Sequence, residues 1–201
     1  RNRATSVMRY RTFPGTDVRV SAVGFGLWPN APGWWGEVTD ERAIEMMRRA
    51  HDDHGVTFFD AADAYGNGRS ERQLATAFKG HRAEVVYGTK IGYDIYDEAA
   101  AKARRGQSEL PQRFEPAFMR YAVEQCLSRL DTDYIDVLQL HNIKMEHVRD
   151  PQIWETMREL VREGKILAWG AAFGPAIGWL YEAVELVERE PDINTIQMIW
   201  N

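Results

Sequence analysis

Short apolar runs alternate along the chain with longer segments in which apolar residues recur at helical spacing. The runs predict six strands, which begin near Val23, Val56, Val85, Tyr134, Ile166 and Asn194. Between them, apolar residues recur every three or four positions, which predicts five amphipathic helices. Each strand–helix repeat occupies about 30 residues, the size of a βαβ unit. We therefore expect an α/β fold with a parallel sheet covered by helices.

Two architectures suit this alternation, a doubly wound open sheet and a (β/α)₈ barrel. The open sheet of dinucleotide-binding proteins carries G-x-G-x-x-G after a strand, and no such run occurs here. Gly24-Phe25-Gly26 lies inside a predicted strand, and Gly66-Asn67-Gly68 lacks the third glycine. A hairpin predicted from Tyr10–Phe13 and Val18–Ser21 could plug the bottom of a barrel. The pattern therefore favours the barrel.

The last predicted strand runs to Asn201, with no following helix to cover it. We expect one barrel domain over residues 1–201 that lacks the last two βα units.

Local signals also mark helix ends. Thr39 and Gly55 are predicted to bound one helix, and Ser70 with Gln73 has the spacing of a capping box.

Composition narrows the class of partner. The chain has 25 Lys and Arg against 30 Asp and Glu, a net charge of −5, and no basic stripe, so nucleic acid is not expected. No apolar run approaches the ~18 residues of a membrane span. One cysteine, Cys126, has no partner for an internal disulfide, and no signal peptide is evident. These features predict a cytoplasmic protein.

Four ionisable residues follow the predicted strands in a regular way. Asp60, Lys90 and His141 end three consecutive strands, and Tyr65 follows Asp60 by five residues. Parallel strand ends converge on the mouth of a barrel. There an ammonium would lower the pKa of a phenol, a carboxylate would hold the ammonium, and a neutral imidazole could donate to a carbonyl oxygen. The set suits protonation of an oxygen while hydride reaches the attached carbon.

Asp60, Asp63 and His141 could instead bind a divalent metal. No second His or Glu lies at another strand end, so no metal is predicted. Asp63 is expected to make local turn bonds in a loop.

Three ordered motifs resemble the aldo-keto reductases. Phe59–Gly66 resembles the signature F-D-T-A-x-x-Y-G, Tyr87–Lys90 resembles the catalytic-lysine strand, and Tyr134–His141 resembles the strand Y-I-D-L-x-x-x-H. Gly24–Trp28 and Gly164–Ile166 also fit. The resemblance covers the chain from Met8 onward.

The resemblance implies a (β/α)₈ barrel that reduces an aldehyde or ketone with a nicotinamide cofactor, NADP(H) in preference to NAD(H). It implies that Tyr65 is the acid, that Lys90 and Asp60 tune it, and that His141 orients the carbonyl. The alternative is a non-catalytic, cofactor-binding regulatory subunit of the same fold.

The motif that usually holds the nicotinamide amide departs from the family pattern. Where G-x-S-N is usual, this chain has Gly170-Ala171-Ala172-Phe173. Ala172 and Phe173 offer only main-chain groups, whereas Gln197 on the next strand offers a donor and an acceptor. Gln197 therefore either binds the amide or packs in the core, and Asp60 completes the expected cofactor contacts.

Aromatic residues suggest the wall of a substrate pocket. Trp28, together with Trp34 and Trp35, follows the first parallel strand and is expected near Tyr65 and His141, although surface exposure is the alternative. The segment Gly92–Phe114 exceeds the usual loop length and is interpreted as a lid or as an insertion.

Overall fold

A computed structural model describes residues 7–30, 36–97, 110–174 and 180–199. The strands in these ranges are β1 (Tyr10–Thr12), β2 (Arg19–Ser21), β3 (Phe25–Gly26), β4 (Phe58–Asp60), β5 (Val86–Ile91), β6 (Ile135–His141), β7 (Ile166–Ala172) and β8 (Thr195–Gln197). The helices are α1 (Asp40–His54), α2 (Arg69–Ala77), α3 (Pro116–Leu130), α4 (Met145–Val148), α5 (Pro151–Arg162) and α6 (Leu180–Arg189). Short 3₁₀ turns occupy Trp28–Asn30 and Arg82–Glu84.

The six strands β3 to β8 pair in chain order, and every pair is parallel. A doubly wound sheet reverses its strand order at a switch point, and this sheet does not. The strands form a curled half-barrel with helices outside, which confirms the predicted barrel-type α/β fold. β1 and β2 form a separate antiparallel hairpin, also as predicted.

Strand alternation divides the core into two layers. The inner face of the curl carries a small cluster in which Val18 and Val20 of the hairpin region pack against strand residues Val86, Val137 and Ala168. The hairpin thus closes the end of the curl where the strands begin. The outer faces of the strands and the apolar faces of the helices form the larger cluster, which includes Phe59, Tyr87, Leu138, Trp154 and Trp169. Each fully buried large apolar side chain contributes ~1.5–3 kcal/mol to stability.

The predicted bounds of α1 are confirmed. The Thr39 hydroxyl accepts a hydrogen bond from the Arg42 amide, and Gly55 ends the helix with a left-handed φ of 70°. Without a Cβ, glycine adopts this conformation at little cost.

The capping box predicted at Ser70 and Gln73 is wrong. α2 begins one residue earlier, after Gly68, and no side chain caps it. The buried Ser70 hydroxyl instead donates to the carbonyl of Ala62, and Gln73 donates to Asp40. Both side chains bind neighbouring segments rather than their own helix.

Across the described ranges, no helix combines the length and the apolar character that a membrane span needs.

Candidate active site

The inner face of the sheet carries the predicted residues at the carboxyl ends of the strands, here called the rim. Asp60 pairs with Gly88 in register, and Lys90 lies two residues further along β5, so both side chains point into the curl. At the other side of the sheet, His141, Ala172 and Gln197 end β6, β7 and β8 in register.

A buried ion pair joins the first two residues. The Lys90 Nζ donates to Asp60 Oδ1 at 2.7 Å and to the Ala61 carbonyl at 2.9 Å. Lys90 is only 1% exposed. Burial opposes its charge, but the adjacent Asp60 and Tyr65 outweigh that effect and raise the pKa of Lys90. The lysine is therefore a fixed positive charge.

Tyr65 lies against this lysine, in the loop between β4 and α2. Its main-chain amide donates to the Ala62 carbonyl, and Lys90 Nζ is 4.9 Å from its ring centroid. Burial raises the pKa of Tyr65, and the charge of Lys90 opposes that rise. Lys90 acts in the expected direction, but burial has the larger effect. Tyr65 is consequently a protonated phenol at neutral pH, as a proton donor must be.

His141 completes the group on the far side of Tyr65. The two rings meet edge to face, with centroids 5.6 Å apart and planes at 81°. Burial, reinforced by the charge of Lys90, holds the pKa of His141 well below its usual range, so the imidazole is neutral. Its buried Nδ1 has no hydrogen-bond partner among the described residues. Because an orphaned buried N–H is rarer than an orphaned acceptor, we assign the ring proton to Nε2.

Gln197 reaches across the open side of the curl. Its exposed side-chain amide donates to Asp60 Oδ2 at 2.9 Å, so core packing does not describe it. Gln197, Asp60 and Gly26 line a cavity of about 440 Å³, together with residues of the hairpin.

Ala172 and Phe173 are buried, and one main-chain group of each is already engaged. The Phe173 amide donates to the Gln197 carbonyl, and the Ala172 carbonyl accepts from the Asn142 amide, each at 2.8 Å. The Phe173 ring belongs to the outer cluster, on the helix side of the sheet. Gln197 is therefore the side chain on this side of the rim that can face a ligand amide.

Trp28 lies just after β3, at the same end of the sheet, and is 40% exposed. Trp34 and Trp35 lie outside the described residues. So does much of the expected lid, residues 98–109, while its two described ends pair through a bridge between Tyr93 and Gln112. Within the described ranges, no cluster of three or more His, Cys, Asp or Glu could hold a metal ion.

Asp63 lies in a turn, as expected, and its main-chain carbonyl accepts from the Gly68 amide at 2.6 Å. The side chain is fully buried, and neither carboxyl oxygen has a well-aligned hydrogen-bond partner among the described residues. Its main-chain amide donates to the Lys90 carbonyl. Burial, and then the charge of Glu71, raises the pKa of Asp63 well above its usual range. This loop aspartate is thus a buried carboxyl group close to the rim.

Glu71 forms a second buried ion pair that the motifs alone do not reveal. It is fully buried, accepts from the Thr89 hydroxyl at 2.7 Å, and is paired with Arg129 of α3. Thr89 precedes Lys90 in β5 and points to the opposite face. Successive side chains of a strand point to opposite faces of the sheet, so the sequence of β5 already predicts that Thr89 and Lys90 lie on different faces.

The sequence model of the Aldo/keto reductase family matches residues 22–201. The chain belongs to the aldo/keto reductase family.

Individual members of the family resemble it over different lengths. Aldo-keto reductase YhdN of Bacillus subtilis (strain 168) is 30% identical over 200 residues, which are 96% of this chain and 54% of that protein. The "NADH-specific methylglyoxal reductase" of Escherichia coli (strain K12) is 33% identical over 163 residues, covering 78% of this chain and 49% of that protein. The chain thus spans about half the length of the curated relatives it matches.

A solved structure supports the same family fold. The aldo-keto reductase AKR11C1 from Bacillus halodurans, in its holo form, superposes with a TM-score of 0.76 at 26% identity. The match covers 96% of this chain and 58% of that chain.

Proposed function

We propose that this aldo/keto reductase is an NAD(P)H-dependent carbonyl reductase in which Tyr65 protonates the substrate oxygen. The observation that carries the proposal is the buried Lys90–Asp60 ion pair against the Tyr65 ring, with the neutral His141 imidazole across from it. Charge buried beside an acid is a common device for tuning proton transfer.

Each residue has a distinct part in the proposed step. Bound NAD(P)H supplies the hydride that reaches the carbonyl carbon. His141 donates its Nε2–H to the carbonyl oxygen and holds the carbonyl in place. Tyr65 gives its hydroxyl proton to that oxygen, and the Lys90 ammonium stabilises the phenolate left behind. Asp60 keeps Lys90 charged and directed at Tyr65.

The rim residues fit a nicotinamide amide. Gln197, which lines the cavity beside Asp60, would supply the side-chain amide. Ala172 and Phe173 are proposed to shape this edge of the cofactor site through their main chain, since their side chains offer no polar group. NADP(H) stays the preferred cofactor in the proposal, but the relative named as NADH-specific makes both cofactors part of any assay.

Trp28, with Tyr65 and His141, is proposed to contact the small-molecule carbonyl substrate. The single thiol, Cys126, is buried and free, which agrees with the proposed cytoplasmic location.

A binding-only regulatory role is the alternative, and the buried lysine argues against it. Burying Lys90 beside Asp60 is costly, and cofactor binding alone gives no reason for a charge beneath a phenol.

The proposal is tested with the full chain, 4-nitrobenzaldehyde, and NADPH or NADH. We expect 4-nitrobenzyl alcohol to form in a 1:1 ratio with the cofactor oxidised. Cofactor binding, seen by fluorescence titration, without any alcohol would establish the binding-only role instead.

A further inference from the structure

No described residue gives the His141 Nδ1 the hydrogen bond that usually orients a functional histidine. In most such sites one ring nitrogen bonds a carboxylate or carbonyl, and that bond sets both the tilt and the tautomer of the ring. Here the buried Nδ1 has no hydrogen-bond partner among the described residues. In the part of the chain that the structure describes, packing therefore holds this ring, and the rings against it are the relevant neighbours.

Among the described residues, two aromatic rings contact the imidazole. Tyr65 meets it edge to face, and Tyr93 meets it at a centroid distance of 5.0 Å with the planes at 68°. Tyr65 has its own part in proton transfer. Tyr93 is 6% exposed and lies in the segment after β5, so its ring is available as a wall.

Tyr93 is itself anchored to the end of β6. Its hydroxyl accepts a hydrogen bond from Asn142 Nδ2 at 2.9 Å, and Asn142 directly follows His141. Asn142 has a φ of 53°, a left-handed conformation that asparagine tolerates better than most residues. The main-chain amide of Asn142 donates to the Ala172 carbonyl, which holds this turn against β7.

Gln112 ties the two segments together from the other side. Its Nε2 donates to the carbonyls of His141 and Asn142 at 2.8 and 2.9 Å, and its main chain bridges to Tyr93. Tyr93, Gln112 and Asn142 therefore form one cluster around the end of β6, here called the β6 collar.

We propose that Tyr93 is a positioning residue for His141, and that Asn142 holds the Tyr93 hydroxyl so that the imidazole keeps the tilt from which its Nε2–H is donated. The inference rests on the proposed function, in which His141 orients the carbonyl. Tyr93 touches His141 and Asn142, and it needs no contact with the substrate for this role.

The test uses the full chain with ¹³C,¹⁵N-labelled histidine, and His141→Gln assigns the resonances. NMR shifts of the ring report the tautomer without any turnover, and kcat and KM are measured with 4-nitrobenzaldehyde and NADPH. The variants separate ring from anchor. Tyr93→Leu removes the ring, whereas Tyr93→Phe and Asn142→Gly keep the ring and remove the anchoring bond. Asn142→Asp removes the donor but offers an acceptor to which the Tyr93 hydroxyl can donate instead, and aspartate suits the same φ.

We expect Tyr93→Leu to mix the two His141 tautomers and to lower kcat on the order of 10²-fold, the scale of a reacting group misplaced by about 1 Å. Tyr93→Phe and Asn142→Gly should each lower kcat about 5-fold, the rate equivalent of one hydrogen bond. Asn142→Asp should recover most of that loss. The KM for NADPH should change little in all four variants.

Tyr96→Phe is the matched control, because Tyr96 lies in the same segment and bonds Arg129 rather than the collar. It should leave the His141 resonances unchanged. An unchanged tautomer and kcat in Tyr93→Leu would overturn the proposal. Should that variant fail to fold, wild-type kcat in both Tyr93→Phe and Asn142→Gly would overturn it equally. A wild-type protein without reductase activity would instead overturn the proposed function, and the tautomer readout would still decide the role of Tyr93.

Discussion

Strand β5 separates two buried ion pairs that differ in what surrounds them. On its inner face, Lys90 and Asp60 lie beside Tyr65, His141 and the exposed amide of Gln197. On its outer face, Glu71 and Arg129 lie between helices.

The neighbours of the outer pair are of another kind. Glu71 accepts from the Thr89 hydroxyl, and Arg129 donates to the Cys126 sulfur and to the Tyr96 hydroxyl. These groups join α2, α3 and the segment around β5, whereas the inner neighbours lie at the open rim. We therefore expect proton transfer at the inner pair and a structural role for the outer pair.

Replacing Lys90 tests the inner pair and should have the largest effect. Lys90→Met leaves Asp60 without its cation, and breaking a buried pair costs ~3–5 kcal/mol of unfolding free energy. It also removes the charge that opposes the rise in the pKa of Tyr65, so that pKa should rise further. We expect kcat to fall by 10²–10⁴-fold, the usual contribution of positioned acid catalysis. Urea unfolding and the pH profile of kcat measure both effects. The control is Lys79→Met, at an exposed lysine, and a pH profile shared with wild type would contradict the tuning role.

Replacing Glu71 tests the outer pair. Glu71→Gln leaves the Arg129 guanidinium without its carboxylate and should lower the unfolding free energy by a similar ~3–5 kcal/mol. Because the rim is untouched, kcat per folded molecule should stay within a few-fold of wild type. A loss of kcat as large as that of Lys90→Met, with stability unchanged, would show that the two faces do not have separate tasks.

Asp63 lies between the two ion pairs, and its titration should make the stability of the protein depend on pH. Its pKa is raised in the folded protein, so the folded state binds more protons than the unfolded state. Its stabilising contribution is present below the unfolded pKa of about 3.9 and is lost as pH rises toward the folded pKa. Asp63→Asn does not titrate, so its stability relative to wild type should increase from pH 5 to pH 8 in urea unfolding. A constant difference between the two proteins would mean that Asp63 is ionised in the fold.

Gln197 tests the open side of the rim and should have the smallest effect. Gln197→Ala removes the side-chain amide that lines the cavity and should weaken NADPH binding by ~1–2 kcal/mol, the scale of a lost hydrogen bond with a stranded partner. Ala172→Ser should strengthen binding by less, because the added hydroxyl lacks the asparagine that accompanies it in the family motif. Fluorescence titration gives both values, and equal affinity of wild type and Gln197→Ala would end this role.

The rim was predictable from the sequence because its signals are local. Asp60, Lys90 and His141 each end an apolar run, and parallel strands bring such ends to one edge. The parity of the strand residues also places Gln197 on the same inner face.

The features that the sequence did not predict depend on packing between distant segments. The sequence predicts Asp63 as a turn residue, but the side chain is fully buried, with Glu71 of α2 and Arg129 of α3 close enough to affect its pKa. Ser70 has the spacing of a cap, but its hydroxyl finds the Ala62 carbonyl instead. Tyr93 bonds Asn142, which lies 49 residues away in the sequence, and no local sequence pattern predicts that pairing.

The most direct test of the central claim is the turnover of Tyr65→Phe, which keeps the ring and removes the proton. The matched control is Tyr181→Phe, at a tyrosine that is 75% exposed on α6. With 4-nitrobenzaldehyde and NADPH, we expect Tyr65→Phe to lose 10²–10⁴-fold in kcat while its unfolding free energy changes little, and the control to match wild type. Near-normal turnover in a folded Tyr65→Phe protein would contradict the assignment of Tyr65 as the acid.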